Sequence, residues 1–140
     1  MNNWVVICNN SIFNVIDHFS NQSTIIWKQM NNVEVGDYVF MYLSAPFSSI
    51  KYICKVTEVN IRNKSRILPF YLSIKPENRN ESNETYQNYM ELKMVREFNE
   101  PYALTRKVLL EHGMKSFQKS AKAPIGFAEY LSSFVDDIEV

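Results

Sequence analysis

Trp27 ends the apolar run Thr24-Ile25-Ile26-Trp27 and is followed at once by Lys28 and Gln29. A large ring at such a junction lies between core and solvent, where it can stack on a planar ligand. Asn9, Asn10, Ser11 and Asn14 follow a second apolar run, Trp4 to Cys8. A carboxamide carries donors and an acceptor on one rigid group, which suits it to the edge of a heterocycle. Ser44, Pro46 and Phe47 fall in the connection between two strand-like segments and are candidates for a third wall. Aromatic stacking with converging polar groups is how proteins hold an extruded base, at ~1–3 kcal/mol per stacked base. The same residue types also serve structure, tryptophan under loops and Asn or Ser at turns and helix caps.

Constellations for catalysis are missing from the pattern. The chain has 3 glycines, Gly36, Gly113 and Gly126, and no glycine-rich phosphate loop. His18 and His112 stand far apart, neither beside a Cys or Ser in a nucleophile motif, and each sits in a helical segment as a structural group would. Cys8 and Cys54 lie inside apolar runs and are expected to be buried core thiols without metal spacing. The acidic residues Asp136, Asp137 and Glu139 read as solubilising charge in the tail. A binding domain with no catalytic residues, no metal and no cofactor is therefore expected.

Fifteen basic and fifteen acidic side chains balance to a formal charge of zero, which argues against non-specific wrapping of a duplex. Charge is uneven along the chain, however. Arg62, Lys64 and Arg66 form one basic cluster and Lys115, Lys119 and Lys122 another. Such clusters serve as solvated faces, and they can also touch a few phosphates. Lys28, Arg62, Lys64 and Lys119 are the candidates for that role. Aromatics make up 14% of the residues, with 8 Tyr and 9 Phe, more than a core of this size needs, so some aromatic surface can face a ligand.

At 140 residues the chain reads as a single domain, 1–140, long enough to bury a core without staples. Trp4 to Cys8 is a strand buried on both faces. Asn10 or Ser11 can cap a helix with apolar positions Ile12, Val15, Ile16 and Phe19, and Thr24–Trp27 is a second strand. A polar connection follows, anchored by Met30, Val33 and Val35. Gly36-Asp37 turns into a central strand, Tyr38–Leu43, which Pro46 ends. Ile50–Ile61 is a long strand whose loose alternation implies curvature. Ile67–Ile74 is apolar but contains Pro69, which predicts an edge strand or packed loop. Lys75–Asn88 reads as a mobile loop, Tyr89–Phe98 as a strand, and Leu104–His112 and Ile125–Val135 as helices, the first closed by Gly113. The start of the chain lacks a secretory pattern and no run approaches the about 20 residues of a membrane span. With two thiols expected to stay free, a cytoplasmic protein away from membranes is expected.

The order strand, Asn9-Asn10, helix, strand, Trp27, linker, Gly36-Asp37, Tyr-rich strand, Pro46 resembles the EVE domain, a family of the PUA-like superfamily related to YTH domains. The resemblance runs over residues 3 to 60 and more weakly through Leu104, Gly113 and the final helix. It implies an α+β fold, a PUA-like small mixed-sheet barrel flanked by helices, and recognition of a modified base flipped into an aromatic cage. It implies Trp27 as one cage wall and the polar residues from Asn9 to Asn14 on the base edge. Relatives carry a second cage tryptophan on a later loop where this chain has none, and Phe47, Tyr42 and Phe70 are the aromatics available instead. The expected partner is DNA, ahead of RNA, bearing a modified base, together with other proteins of restriction or nucleic-acid modification. A protein–protein interaction module on the same fold is the alternative that zero net charge favours.

Overall fold

In a computed structural model of the chain, which describes residues 2–79, 87–99, 104–115 and 121–136, the first apolar run is strand β1 (Asn3–Cys8). A short helix α1 (Val15–Asn21) leads into β2 (Thr24–Lys28). After the Gly36-Asp37 turn come β3 (Tyr38–Leu43) and the 13-residue β4 (Ser49–Ile61), then helix α2 (Lys64–Ser73), β5 (Tyr89–Glu97), α3 (Arg106–Glu111), β6 (Ala121–Lys122) and α4 (Ile125–Ser132). The candidate Lys119, and half of the expected loop at Lys75–Asn88, lie outside the described residues.

The fold is α+β with one mixed six-stranded sheet in the order β2-β5-β4-β3-β1-β6. This corrects the expectation of a barrel, because β2 and β6 are edges that do not pair with each other. Within the sheet, β5, β4 and β3 lie between β1 and β2. β1 runs parallel to β3, Val6 opposite Met41, and the other pairings are antiparallel. Every residue of β3 is buried because both sheet faces are covered. α1 and α2 supply Val15, Phe19, Ile67 and Phe70 to the core around Val6, Met41 and Cys54. α3 and α4 supply Leu109, Phe127 and Leu131 to the core around Phe40, Tyr42 and Ile53.

The sheet curls. The register shifts between Met41 and Tyr42 where β3 pairs with β4, and at three points along β4 where it pairs with β5. Each irregularity adds bend and right-handed twist, so the loose alternation of Ile50–Ile61 was a sign of curvature. An isolated bridge joins Phe13, before α1, to Ile74, after α2, reinforced by Lys75 N donating to Ile12 O at 3.2 Å.

Other local expectations change for physical reasons. Pro69 lies inside a helix, not in an edge strand or loop. Asn63 starts that helix, its Oδ1 accepting from Ser65 N at 2.9 Å. Ile67 and Phe70 are then buried on one side, and that burial outweighs the missing backbone donor of proline. The cap of α1 is Asn14, whose Oδ1 accepts from Asp17 N at 3.0 Å, one turn later than Asn10 or Ser11. In the linker Val33 is buried and Met30 packs on the core, but Val35 is 60% exposed. The two-residue strand β6 is too short to leave a periodic signal.

Asp37 is the carboxylate that ties this frame together, at 2% exposure. Its Oδ2 accepts from Trp4 Nε1 at 2.9 Å and Glu34 N at 3.0 Å, and its Oδ1 from Asn2 N at 3.0 Å. No helix among the described residues is long and apolar enough to cross a membrane.

Candidate functional site

Where the curled sheet brings β1 and β2 together, the walls enclose a cavity of about 450 Å³, a volume suited to a small planar ligand. Trp27 and Lys28 from β2 line it, with Gln29 and Met30 beyond the strand, Ile7 and Asn9 from the end of β1, Ile12 and Phe13 before α1, and Phe70, Ile74 and Asn78 from α2 and the turn after it. Among the described residues no Asp or Glu lines it.

Three aromatic rings make its apolar side. Trp27 is half-buried, while Phe13 and Phe70 are almost fully buried. Phe13 and Phe70 stack with centroids 5.3 Å apart at 30°, and Trp27 stands edge-on to both, 5.3 Å and 5.4 Å away at 69° and 75°. Each such pair adds about 0.5–1.5 kcal/mol beyond its buried area. A base sandwiched between two rings needs them about 7 Å apart, twice the ordinary carbon contact distance. These rings touch one another instead, so a ligand here stacks on an open face and not in a slot between them.

Phe13 owes its place to the cap beside it. It precedes Asn14, and its ring lies 6.0 Å from that of His18, one turn into α1, the geometry of a hydrophobic staple. His18 is a strut, its Nε2 donating to Thr24 O at 2.7 Å and thereby joining α1 to β2. Phe13 and Phe70 also line a second, smaller cavity of about 200 Å³ with His18, Arg66 and Glu91. Arg66 is held there by ion pairs to Glu58 and Glu91.

The polar residues after β1 divide into those that hold the loop and one that lines the cavity. Asn9 Oδ1 accepts from Ser11 N at 3.0 Å and Ser11 Oγ at 2.6 Å, which fixes the amide with its nitrogen as the remaining donor. Asn10 Oδ1 accepts from Ile16 N at 3.2 Å, and its Nδ2 donates to Asn14 Oδ1 at 3.2 Å. Asn10, Ser11 and Asn14 are thus engaged in the turn and cap, and of the four only Asn9 lines the cavity.

Ser44, Pro46 and Phe47 form the turn after β3. The turn adjoins the end of β1, Ser44 N donating to Cys8 O at 2.9 Å, because parallel strands end at the same side of the sheet. None of the three lines the cavity, and Phe47 is 43% exposed. Tyr42, a candidate second wall, is buried in the other core, whereas Phe70 does reach the cavity. Of the candidate cations, Lys28 lines the cavity, Arg62 lines a neighbouring one, and Lys64 is exposed at the start of α2.

Sequence reasoning missed Phe13, Gln29 and Asn78. Phe13 had a signal, an apolar residue immediately before a capping asparagine; Asn78 had none, since the 3₁₀ turn that carries it, Pro76–Asn78, is brought in by α2. Among the described residues no three of His, Cys, Asp and Glu gather as a metal ion would require.

Compared with protein families, residues 2–126 match the EVE domain. Among curated proteins none matches. Solved structures similar to this chain include human THYN1 protein in complex with 5-methylcytosine containing DNA, 10% identical with a TM-score of 0.64, covering 96% of this chain and 97% of that one. A hypothetical protein from Leishmania major is 16% identical with a TM-score of 0.62, covering 100% and 98%. ASCH from Zymomonas mobilis is 9% identical with a TM-score of 0.64, covering 94% of each chain. At these identities the likeness is one of fold.

Proposed function

We propose that this chain, which belongs to the EVE domain family, is a non-catalytic reader of a modified nucleobase, in DNA ahead of RNA, that binds the base flipped out of its stack. The observation that carries the reading is the half-buried Trp27 in a cavity of about 450 Å³ with no acidic residue in its wall among the described residues. The similarity in fold to a protein crystallised with 5-methylcytosine DNA supports it.

In this reading the base stacks on the open face of Trp27, and Phe13 and Phe70 hold the indole in place. Asn9 offers its amide nitrogen to the base edge, and Asn10, Ser11 and Asn14 keep that amide oriented. The turn Ser44, Pro46 and Phe47 borders the same end of the sheet and meets the strand outside the cavity. Lys28, Arg62 and Lys64 meet phosphates, as does Lys119. A cytoplasmic role beside proteins of restriction or nucleic-acid modification completes the proposal.

The test is a titration of tryptophan fluorescence with oligonucleotides that differ only in one base: cytosine, 5-methylcytosine, 5-hydroxymethylcytosine, adenine and N6-methyladenine, single-stranded and in duplex. A saturable change, stronger for one modified base than for its parent, is expected. No response to any modified base in either form would overturn the reading.

A further inference from the structure

Gln29 and Met30 line two cavities. One is the aromatic cavity; the other, of about 300 Å³, adds Asn31, Arg62, Gln87 and Asn88. Among the described residues the chemistry of the second is the reverse of the first, amides and a guanidinium with Met30 as the one apolar side chain, and no acid.

Part of that wall is locked. Gln29 Nε2 donates to Asn60 Oδ1 at 3.0 Å, while Gln29 Oε1 accepts from Asn60 N at 2.6 Å. Asn88 Nδ2 donates to the same Asn60 Oδ1 at 3.4 Å, and Arg62 Nη1 donates to Asn88 Oδ1 at 3.3 Å. Asn60 sits at φ 60°, a left-handed conformation that asparagine tolerates better than most residues. Its position near the end of β4 aims its amide at Gln29 and Asn88.

The rest of the wall is uncommitted. Gln87 Nε2 donates to Gln29 O at 3.2 Å, which leaves its Oε1 without a partner among the described residues. The Asn31 amide and the remaining N–H groups of Arg62 likewise have none there. Free donors and acceptors on a locked amide frame match the edge of a base, and a guanidinium beside them matches a phosphate.

We propose that this second cavity is a subsite for the base next to the modified one, so that the chain reads a two-nucleotide step. The inference rests on the reading of the aromatic cavity given above. Gln29 and Met30 form the shared sill over which the strand passes. Arg62 meets the phosphate joining the two nucleotides, and Asn31 and Gln87 take the edge of the flanking base. The aromatic cavity selects the modification and the amide cavity selects its neighbour.

The experiment measures affinity for single-stranded dinucleotides that carry the preferred modified base and, on either side, each of the four bases or an abasic sugar, against the modified mononucleotide. The best flanking base is expected to bind about tenfold more tightly than the abasic step, the scale of one base pair's worth of specificity. The double variant N31A/Q87A should lose that preference and keep the mononucleotide affinity. Asn31 is exposed and Gln87 half-buried, so an unchanged melting temperature is the expected control. An abasic flank that binds as well as any base, or a preference that survives in the variant, would overturn the subsite alone. Failure of the mononucleotide and of every dinucleotide to bind would overturn it together with the reading it rests on.

Discussion

Phe70 meets Trp27 edge to face in the cavity wall, ring planes at 75°, and it does so from a helix that has a proline at the preceding position. The ring that buttresses the indole is therefore carried by an element whose formation depends on tertiary burial. That dependence joins the stability of α2 to the geometry of the site.

Removing the indole should remove the stacking energy and leave the fold. Trp27→Ala is expected to weaken binding of the preferred modified base by ~1–3 kcal/mol, and Trp27→Phe by less. Isothermal titration calorimetry measures both. Equal affinity for wild type and Trp27→Ala would mean that the base does not stack there.

Pro69 lacks the N–H that would bond to the carbonyl one turn earlier, a cost of ~3 kcal/mol in a helix interior, offset in part by the restricted unfolded chain. Pro69→Ala should therefore raise stability by roughly 1–2 kcal/mol in urea denaturation. A loss of stability would show that the ring's own packing outweighs the missing hydrogen bond.

Asp37 accepts three hydrogen bonds while almost fully buried. Asp37→Ala leaves the Trp4 indole N–H and two backbone N–H groups unpaired, and should cost on the order of 3 kcal/mol. Asp37→Asn keeps the shape and one acceptor and should cost less. Chemical denaturation of the two variants against wild type orders them.

Burial pushes the thiols of Cys8 and Cys54 far above the ordinary range, with each other's proximity adding at Cys8. In the unfolded chain both ionise near about 8.5, whereas the folded chain keeps both protons. The unfolded state thus binds fewer protons above that pH, and stability falls as pH rises, by about 1.4 kcal/mol per pH unit for each thiol. Tyr52, pushed up to about 12 mainly by burial, adds to the slope above pH 10. Denaturation midpoints from pH 7 to 10 should show the decline, shallower in Cys8→Ala. Native protein at pH 8 should resist thiol labelling until denaturant is added.

Much of the secondary structure was legible. Apolar runs and turn residues located β1 to β5, and helical spacing located α1, α3 and α4. Trp27 at a strand end before two polar residues was readable as a boundary aromatic, and it is one. The helix at Pro69 was not readable, because the residues that stabilise it, Phe13, Trp27 and Tyr89 around Phe70, come from three distant segments.

By itself the sequence determined β1 to β5, three of the four helices and which ring stands at the core's edge, since side-chain periodicity and turn chemistry record local burial along the chain. Only the tertiary structure decided that β1 and β2 are three strands apart, that the sheet curls instead of closing, and that Asn9, Phe13, Trp27 and Phe70 meet at one cavity. Strand partners and accumulated register shifts depend on which faces bury one another across long sequence separations, and no local pattern encodes that choice.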